Sequence, residues 1–358
     1  MLTIDIHTHI LPAHIPDYAA RFGYGSFVTM EHYCPGCARM MVNGKVFREV
    51  EENTWSAEAR LHECDTAHVH YQVLSTVPVM FCYWAKAADA LDVARYLNDH
   101  LADVVRRHPN RFMGLGTVPL QDPQLAITEL ERCMQLGLRG VQIGSNVNGQ
   151  NLSDPHFFAF FEACQHLGAA VFVHPWDMMG EAQTKQYWLP WLVGMPAETT
   201  RAICSLIFGG VFERLPKLRV AFAHGGGSFP YTLGRIEHGW LVRPDLVAVD
   251  NAPNPRTYLG RFWLDSLVHD PYMLRFLVGL VGPDKVALGT DYPFPLGEWW
   301  PNTQTAVPPG WQPGHLIRSI PEFTPALQQK LMGTNALDWL GFAPSEKQAI
   351  IAAAHPFD

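Results

Sequence analysis

His7 and His9 stand one residue apart at the end of the first apolar run of the chain, TIDIHTH (3–9). On an extended strand, side chains at i and i+2 leave the same face, so both imidazoles reach the same side. Three more metal-competent groups end later apolar runs: His174 in AAVFVHP (169–175), His224 in RVAFAHGG (219–226) and Asp291 in KVALGTDYP (285–293). Three imidazoles with one carboxylate suit Zn²⁺, and Fe²⁺, Co²⁺ or Mn²⁺ accept the same donors. His7, His9, His174 and Asp291 are therefore read as the ligands of one zinc per chain, in a site that keeps a further position open for water. The run VQIGSN (141–146) ends without a lysine or an acid, so a bridged second metal is not expected.

A lone His-x-His is more often structural than ligating; the joint placement of these groups at the ends of separate runs is what favours a metal. His224 has two readings, a further ligand or a general base. Four ligands are already available, and an imidazole titrates near neutral pH, so the base is favoured. An ordinary core histidine is unexpected just before Gly225-Gly226-Gly227, where the run opens into a loop.

Eight apolar runs must position these groups: 3–9, 71–77, 112–119, 139–145, 169–175, 219–226, 262–268 and 285–293. They are rich in Val, Ile, Leu, Phe and Ala without strict alternation, as strands buried on both faces are. Longer amphipathic stretches separate them, among them 86–107, 123–136, 155–167 and 325–340. Eight strands alternating with helices predict an α/β fold, a (β/α)₈ TIM barrel whose chemistry sits at the carboxyl ends of the strands. Residues 1–358 read as one barrel domain. Within it, residues 12–56 read as a small antiparallel flap over the mouth, with Asn43-Gly44 as a hairpin turn. The Pro-, Gly- and Trp-rich stretch 297–318 follows the last strand and is expected over the same mouth.

The net charge of −8 disfavours a nucleic-acid surface and leaves any anionic ligand to local arginines. There is no run long enough to cross a membrane, and the start has no basic, apolar leader pattern. Seven scattered cysteines point to reduced thiols and a cytoplasmic enzyme.

The segments IDIHTHILP, GVQIG, FVHPWDM, YWLPWLVGMPAETT, AFAHGGGSFPYTLGRIEHG, LVHDP and LGTDYPFPLGE resemble the amidohydrolase superfamily over about residues 2–342. HPWDM and LGTDYPFPLGE are specific to its decarboxylase branch, whereas His-x-His alone places only the superfamily. The resemblance implies non-hydrolytic decarboxylation of a small dicarboxylate semialdehyde at one zinc, without an organic cofactor, on a kynurenine or nitrobenzoate route. In the mechanism it implies, the metal activates a water, His224 takes its proton, and the water is returned when CO₂ has left.

By motif, His7, His9, His174 and Asp291 match the ligands and His224 the acid/base histidine. Arg48 matches an arginine that holds a substrate carboxylate, Arg235 one lent by the neighbouring subunit of a homodimer, and Trp188 a residue lining the pocket. Taken alone, Arg48 reads as a solvated hairpin residue, Arg235 as a surface residue and Trp188 as core. The sequence departs from the family pattern in the long 297–318 stretch and in Cys34-Pro-Gly-Cys37, a free or surface-oxidised pair rather than a second zinc site. The rival readings are a decarboxylase of a hydroxybenzoate or pyrimidine carboxylate, a hydrolase of an amide or lactone, and a non-catalytic metal-binding barrel.

Overall fold

The eight apolar runs become parallel strands in which every residue but Arg219 is buried, which is why they lack a polar alternation. They are β1 (Ile4–His9), β2 (Tyr71–Ser75), β3 (Phe112–Gly114), β4 (Gly140–Gly144), β5 (Ala170–His174), β6 (Arg219–Phe222), β7 (Trp263–Asp265) and β8 (Val286–Ala287). The computed structural model describes residues 1–299 and 310–354. Strands β1 to β3 pair in order, as do β4 to β8. Backbone hydrogen bonds join the two groups: Gly116 N–H to Gly140 O and Gln142 N–H to Gly116 O on one side, Ile6 N–H to Leu288 O and His9 N–H to Tyr292 O on the other. The sheet thus closes into a barrel.

The helices that follow the strands are α1 (Ala57–Thr66), α2 (Ala87–Arg107), α3 (Pro123–Gln135), α4 (Phe158–Leu167), α5 (Met195–Phe208), α6 (Phe229–Val242), α7 (Pro271–Val281) and α8 (Asn335–Trp339). Two Asp-Pro pairs start α3 and α7. Asp122 and Asp270 accept from first-turn amides, and the following proline occupies a position whose N–H would be unpaired. The apolar sides of these helices pack on the outer faces of the strands, while Ile4, Ile6, Val73, Phe172, Ala221 and Trp263 fill one end of the barrel interior.

Toward the carboxyl ends the interior turns polar. Ser75 Oγ donates to Thr8 O and Gln142 Oε1, and Gln142 Nε2 donates to Thr76 O. Arg60 of α1 is fully buried and donates to Asn53 O, to Gln72 Oε1 and to His9 O, with its guanidinium 4.7 Å from the Tyr292 ring centroid. It fastens the end of β1 against its neighbours.

Between β1 and α1 lies a three-stranded antiparallel sheet, Thr29–Cys34, Cys37–Val42 and Lys45–Glu51, one strand more than the hairpin read from the sequence. Asn43 (φ 51°) and Gly44 (φ 71°) turn one hairpin in the left-handed geometry that this dipeptide favours. Pro35-Gly36 turns the other and sets Cys34 opposite Cys37, and these two are disulfide-bonded. Of the two readings of this pair, free or oxidised, the structure has the oxidised one, so the general expectation of reduced thiols holds only for the other five cysteines, which are free. The stretch 297–318 falls partly outside the described residues; at its near end Trp299 packs on Tyr292, ring centroids 4.3 Å apart. No described helix is long and apolar enough to cross a membrane.

Gly140 opens β4 at φ 153°, and a Cβ there would lie 1.9 Å from Ala170 O of the adjacent strand. Gly140→Ala should therefore lower stability by about 3 kcal/mol or more in urea unfolding, since backbone must move to admit it. A loss below about 1 kcal/mol would contradict this close approach.

Candidate metal centre

His9 and His174 are the last residues of β1 and β5, and His7 precedes His9 on the same strand face. Asp291 lies four residues beyond β8, in a left-handed conformation (φ 59°) that turns its carboxylate inward. The ligand-type atoms of His7, His9, His174 and Asp291 all lie within 4.8 Å of one another, and all four residues are buried. The three imidazole centroids are 5.0–5.2 Å apart.

Each Nδ1 faces an acceptor: Asp265 Oδ2 at 2.8 Å for His7, Thr76 O at 3.0 Å for His9 and Pro175 O at 2.9 Å for His174. An Nδ1–H that donates outward leaves the Nε2 lone pair pointing at the common centre. His174 Nε2 is buried with no hydrogen-bond partner, and His7 Nε2 has no aligned one, its nearest acceptor being Asp291 Oδ1 at 3.3 Å. Buried polar atoms are rarely left so, and a divalent cation would satisfy both at once. The donor set of three imidazoles and one carboxylate fits such an ion.

The charges agree with this. Burial disfavours a charged imidazole at His9 and His174, and both are pushed down; the neighbouring imidazoles add to the effect at His174. Burial opposes charge on His7 too, but Asp291 and Asp265 outweigh it and raise its pKa. Asp291 is held well below the usual carboxylate range: burial raises it, but His7, His224 and His9 together prevail.

His224 stands two residues beyond β6 with φ 55°. Its Nε2 is 3.7 Å from Asp291 Oδ2, its ring is 5.1–5.2 Å from those of His7 and His174, and it is only half-buried. It stands next to the group of four, and it opens on a cavity of about 320 Å³ whose wall includes Asp291, Trp191 and Met195.

Arg48, on the third flap strand, and Trp188 line a smaller cavity with His9, His174 and Asp291. Arg48 is half-buried and has no ion-pair partner among the described residues; it packs on aromatic rings instead. Trp188 is a pocket-wall residue, 41% exposed, and not the core residue its type suggests. Arg235 is not brought to its own chain's centre. It is exposed on α6, one turn after Tyr231, which is 85% exposed.

Sequence reasoning missed Asp265. This buried carboxylate ends β7 and accepts from His7 Nδ1, from the N–H of His224 and from the N–H of Gly225. The signal was available: FWLDSLV carries an acid, Asp265, within an apolar run of the kind that bears the other strand-end groups.

The amidohydrolase family model matches residues 4–342. The 2-amino-3-carboxymuconate-6-semialdehyde decarboxylase of Dictyostelium discoideum is 58% identical to this chain over 346 residues, 96% of this chain and 93% of its own length. The enzyme of that name from Caenorhabditis elegans is 42% identical, over 82% of this chain and 86% of its own. Among solved structures, 5-carboxyvanillate decarboxylase of Novosphingobium aromaticivorans, complexed with manganese and 4-hydroxy-3-methoxy-5-nitrobenzoic acid, shares the fold. It has a TM-score of 0.75 at 21% identity, covering 95% of this chain and 96% of its own.

Asp265→Asn should weaken divalent-metal affinity roughly 10- to 100-fold, because it loosens the orientation and lowers the basicity of His7. A chelator-competition titration measures this, and unchanged affinity would remove Asp265 from the support of the site.

Proposed function

This chain belongs to the amidohydrolase family, and we propose that it converts 2-amino-3-carboxymuconate 6-semialdehyde to 2-aminomuconate 6-semialdehyde and CO₂. It is a metal-dependent decarboxylase, acting in tryptophan breakdown by the kynurenine route. Besides the resemblance to the relatives, the observation that carries the reading is the guanidinium of Arg48, without an ion-pair partner among the described residues, beside the cluster of three imidazoles and a carboxylate. A diacid requires both a cation to hold a carboxylate and an electrophilic centre beside the carbon that loses CO₂.

His7, His9, His174 and Asp291 are the proposed ligands of the metal, and zinc is the proposed ion. When bound, the metal supplies Lewis-acid activation of water and stabilises developing negative charge. Arg48 holds a substrate carboxylate through a forked, charge-assisted contact. Trp188 and the flap ring around Phe47 wall the cavity and limit the access of bulk water. As the bond to the departing carboxylate breaks, its electron pair stays on the ring-opened carbon chain, which takes up a proton. His224, beside Asp291 and open to the cavity, is the group that moves this proton.

Arg235 is proposed to serve the partner's site in a homodimer. It shares an exposed face of α6 with Tyr231, four residues earlier, and among the described residues it makes no ion pair.

Incubation with freshly generated semialdehyde should show loss of its absorbance with one CO₂ per substrate; a hydrolysed product without CO₂ would refute the reading. In the same assay Arg48→Ala should raise KM roughly 10- to 100-fold, as loss of a hydrogen bond to a charged group does, with metal retained. An unchanged KM would put Arg48 outside the binding site.

Mixing two inactive variants tests the shared site. In a dimer of one His224→Ala and one Arg235→Ala chain, the site on the second chain keeps its own His224 and receives its partner's intact Arg235. With free reassortment half the dimers are mixed, so about a quarter of sites should recover activity. No recovery after proven subunit exchange would confine Arg235 to its own chain or to no role.

A further inference from the structure

We infer that Phe294 is the positioning residue that holds Arg48 at a fixed separation from the metal cluster and thereby sets which diacids fit. The inference rests on the reading of Arg48 as the carboxylate-binding group. Arg48 reaches the cavity from a flap strand, on a long side chain with no carboxylate to brace it among the described residues. Its closest aromatic support is the Phe294 ring, whose centroid is 4.3 Å from the guanidinium carbon, against 5.7 Å for Phe47 and 6.0 Å for Trp191. At that distance the ring face attracts the cation and fixes its plane.

The same ring also meets the metal cluster. Phe294 and His9 have ring centroids 5.5 Å apart, tilted by 36°. The backbone is tied as well: Phe294 N–H donates to Asp291 O at 3.0 Å, closing the turn that starts at a proposed ligand. Phe294 is 9% exposed and packs with Met40, Val50 and Val77, so it spans flap and barrel within one cluster. One ring thus contacts both His9 and Arg48, and it couples the position of the carboxylate-binding cation to that of the metal cluster.

A structural residue and a positioning residue part company in the kinetics. Phe294→Leu should raise KM roughly 2- to 30-fold, the range of one cation–π contact. Metal content should be unchanged and kcat should stay within about threefold, because the contact acts on binding. Phe294→Tyr, which keeps the ring face, should restore most of the affinity. In the double variant Phe294→Leu/Arg48→Ala, KM should be no higher than in Arg48→Ala alone, since the ring acts only through the arginine. The dissociation constant of glutarate, a plain dicarboxylate, read by thermal shift on the metal-loaded protein, should follow the same pattern. Should Phe294→Leu fail to fold, Phe294→Met makes the same comparison. Additive effects of the two substitutions, or loss of metal with KM and glutarate binding unchanged, would overturn the inference. Absence of turnover by the unaltered protein would refute the proposed reaction instead, and the glutarate constants would still decide the role of Phe294.

Discussion

Asp265 accepts four hydrogen bonds: from His7 Nδ1 at 2.8 Å, from the amides of His224 and Gly225 at 2.9 and 2.7 Å, and from Leu267 N–H at 3.2 Å. With them a single buried carboxylate ties the end of β1 to the turn after β6 and to its own strand, β7. Its contact with His7 fixes which ring nitrogen bears the proton, so the other nitrogen is free to ligate. Its contacts with two successive amides hold the backbone of His224 in the left-handed region, which non-glycine residues avoid. The strained turn is what presents His224 to the cavity instead of to the barrel core. Both the geometry of the imidazole cluster and the placement of His224 thus depend on one carboxylate that must stay buried and fully hydrogen-bonded.

Much of this was legible in the sequence because it is local. Strands buried on both faces announce themselves as unbroken apolar runs, and His9 and His174 end their strands as read. Asp291 was read as ending the eighth strand but stands four residues beyond it, since the backbone there leaves the ladder to make its turn. What stayed hidden depends on pairings between distant segments. Arg60 sits in an ordinary-looking helical stretch, AEARLHECDT, and becomes a buried brace only when the barrel brings Gln72 and His9 O to it. The strand TMEHYC carries no apolar alternation, and its pairing is dictated by the Pro35-Gly36 turn and by the neighbouring strand. Arg235 gives the opposite lesson: one chain leaves it exposed, so only the resemblance supplied a role for it.

The cluster also explains how an acidic protein can accommodate a metal in a dry site. Four aligned groups are too crowded to remain neutral and partner-free: Asp291 is held as the anion, His7 is raised, and His9 and His174 are pushed down. A proton and a divalent ion would compete for the same lone pairs, so binding an ion would release a proton. A bound ion would satisfy Nε2 of both His7 and His174. The preorganised Nδ1 contacts make that arrangement cost little further ordering.

On the proposed reading, charge also gives the reaction a direction. Asp291 brings a negative charge to the cavity wall and Asp265 a second one behind His7, and a diacid brings two more. A divalent metal and Arg48 answer three of them, so a single chain is one cation short, which is the place that the partner subunit's Arg235 would fill. In a cavity walled by Phe47, Trp188, Trp191 and Phe294 such an imbalance is felt more strongly than in bulk water, because aromatic walls replace part of the screening solvent. Once CO₂ leaves, the ligand carries one carboxylate, and the same set of cations is in surplus. The site is therefore matched to the substrate and mismatched to the product, so that the loss of one charge in the chemical step itself weakens the hold on what must next be released.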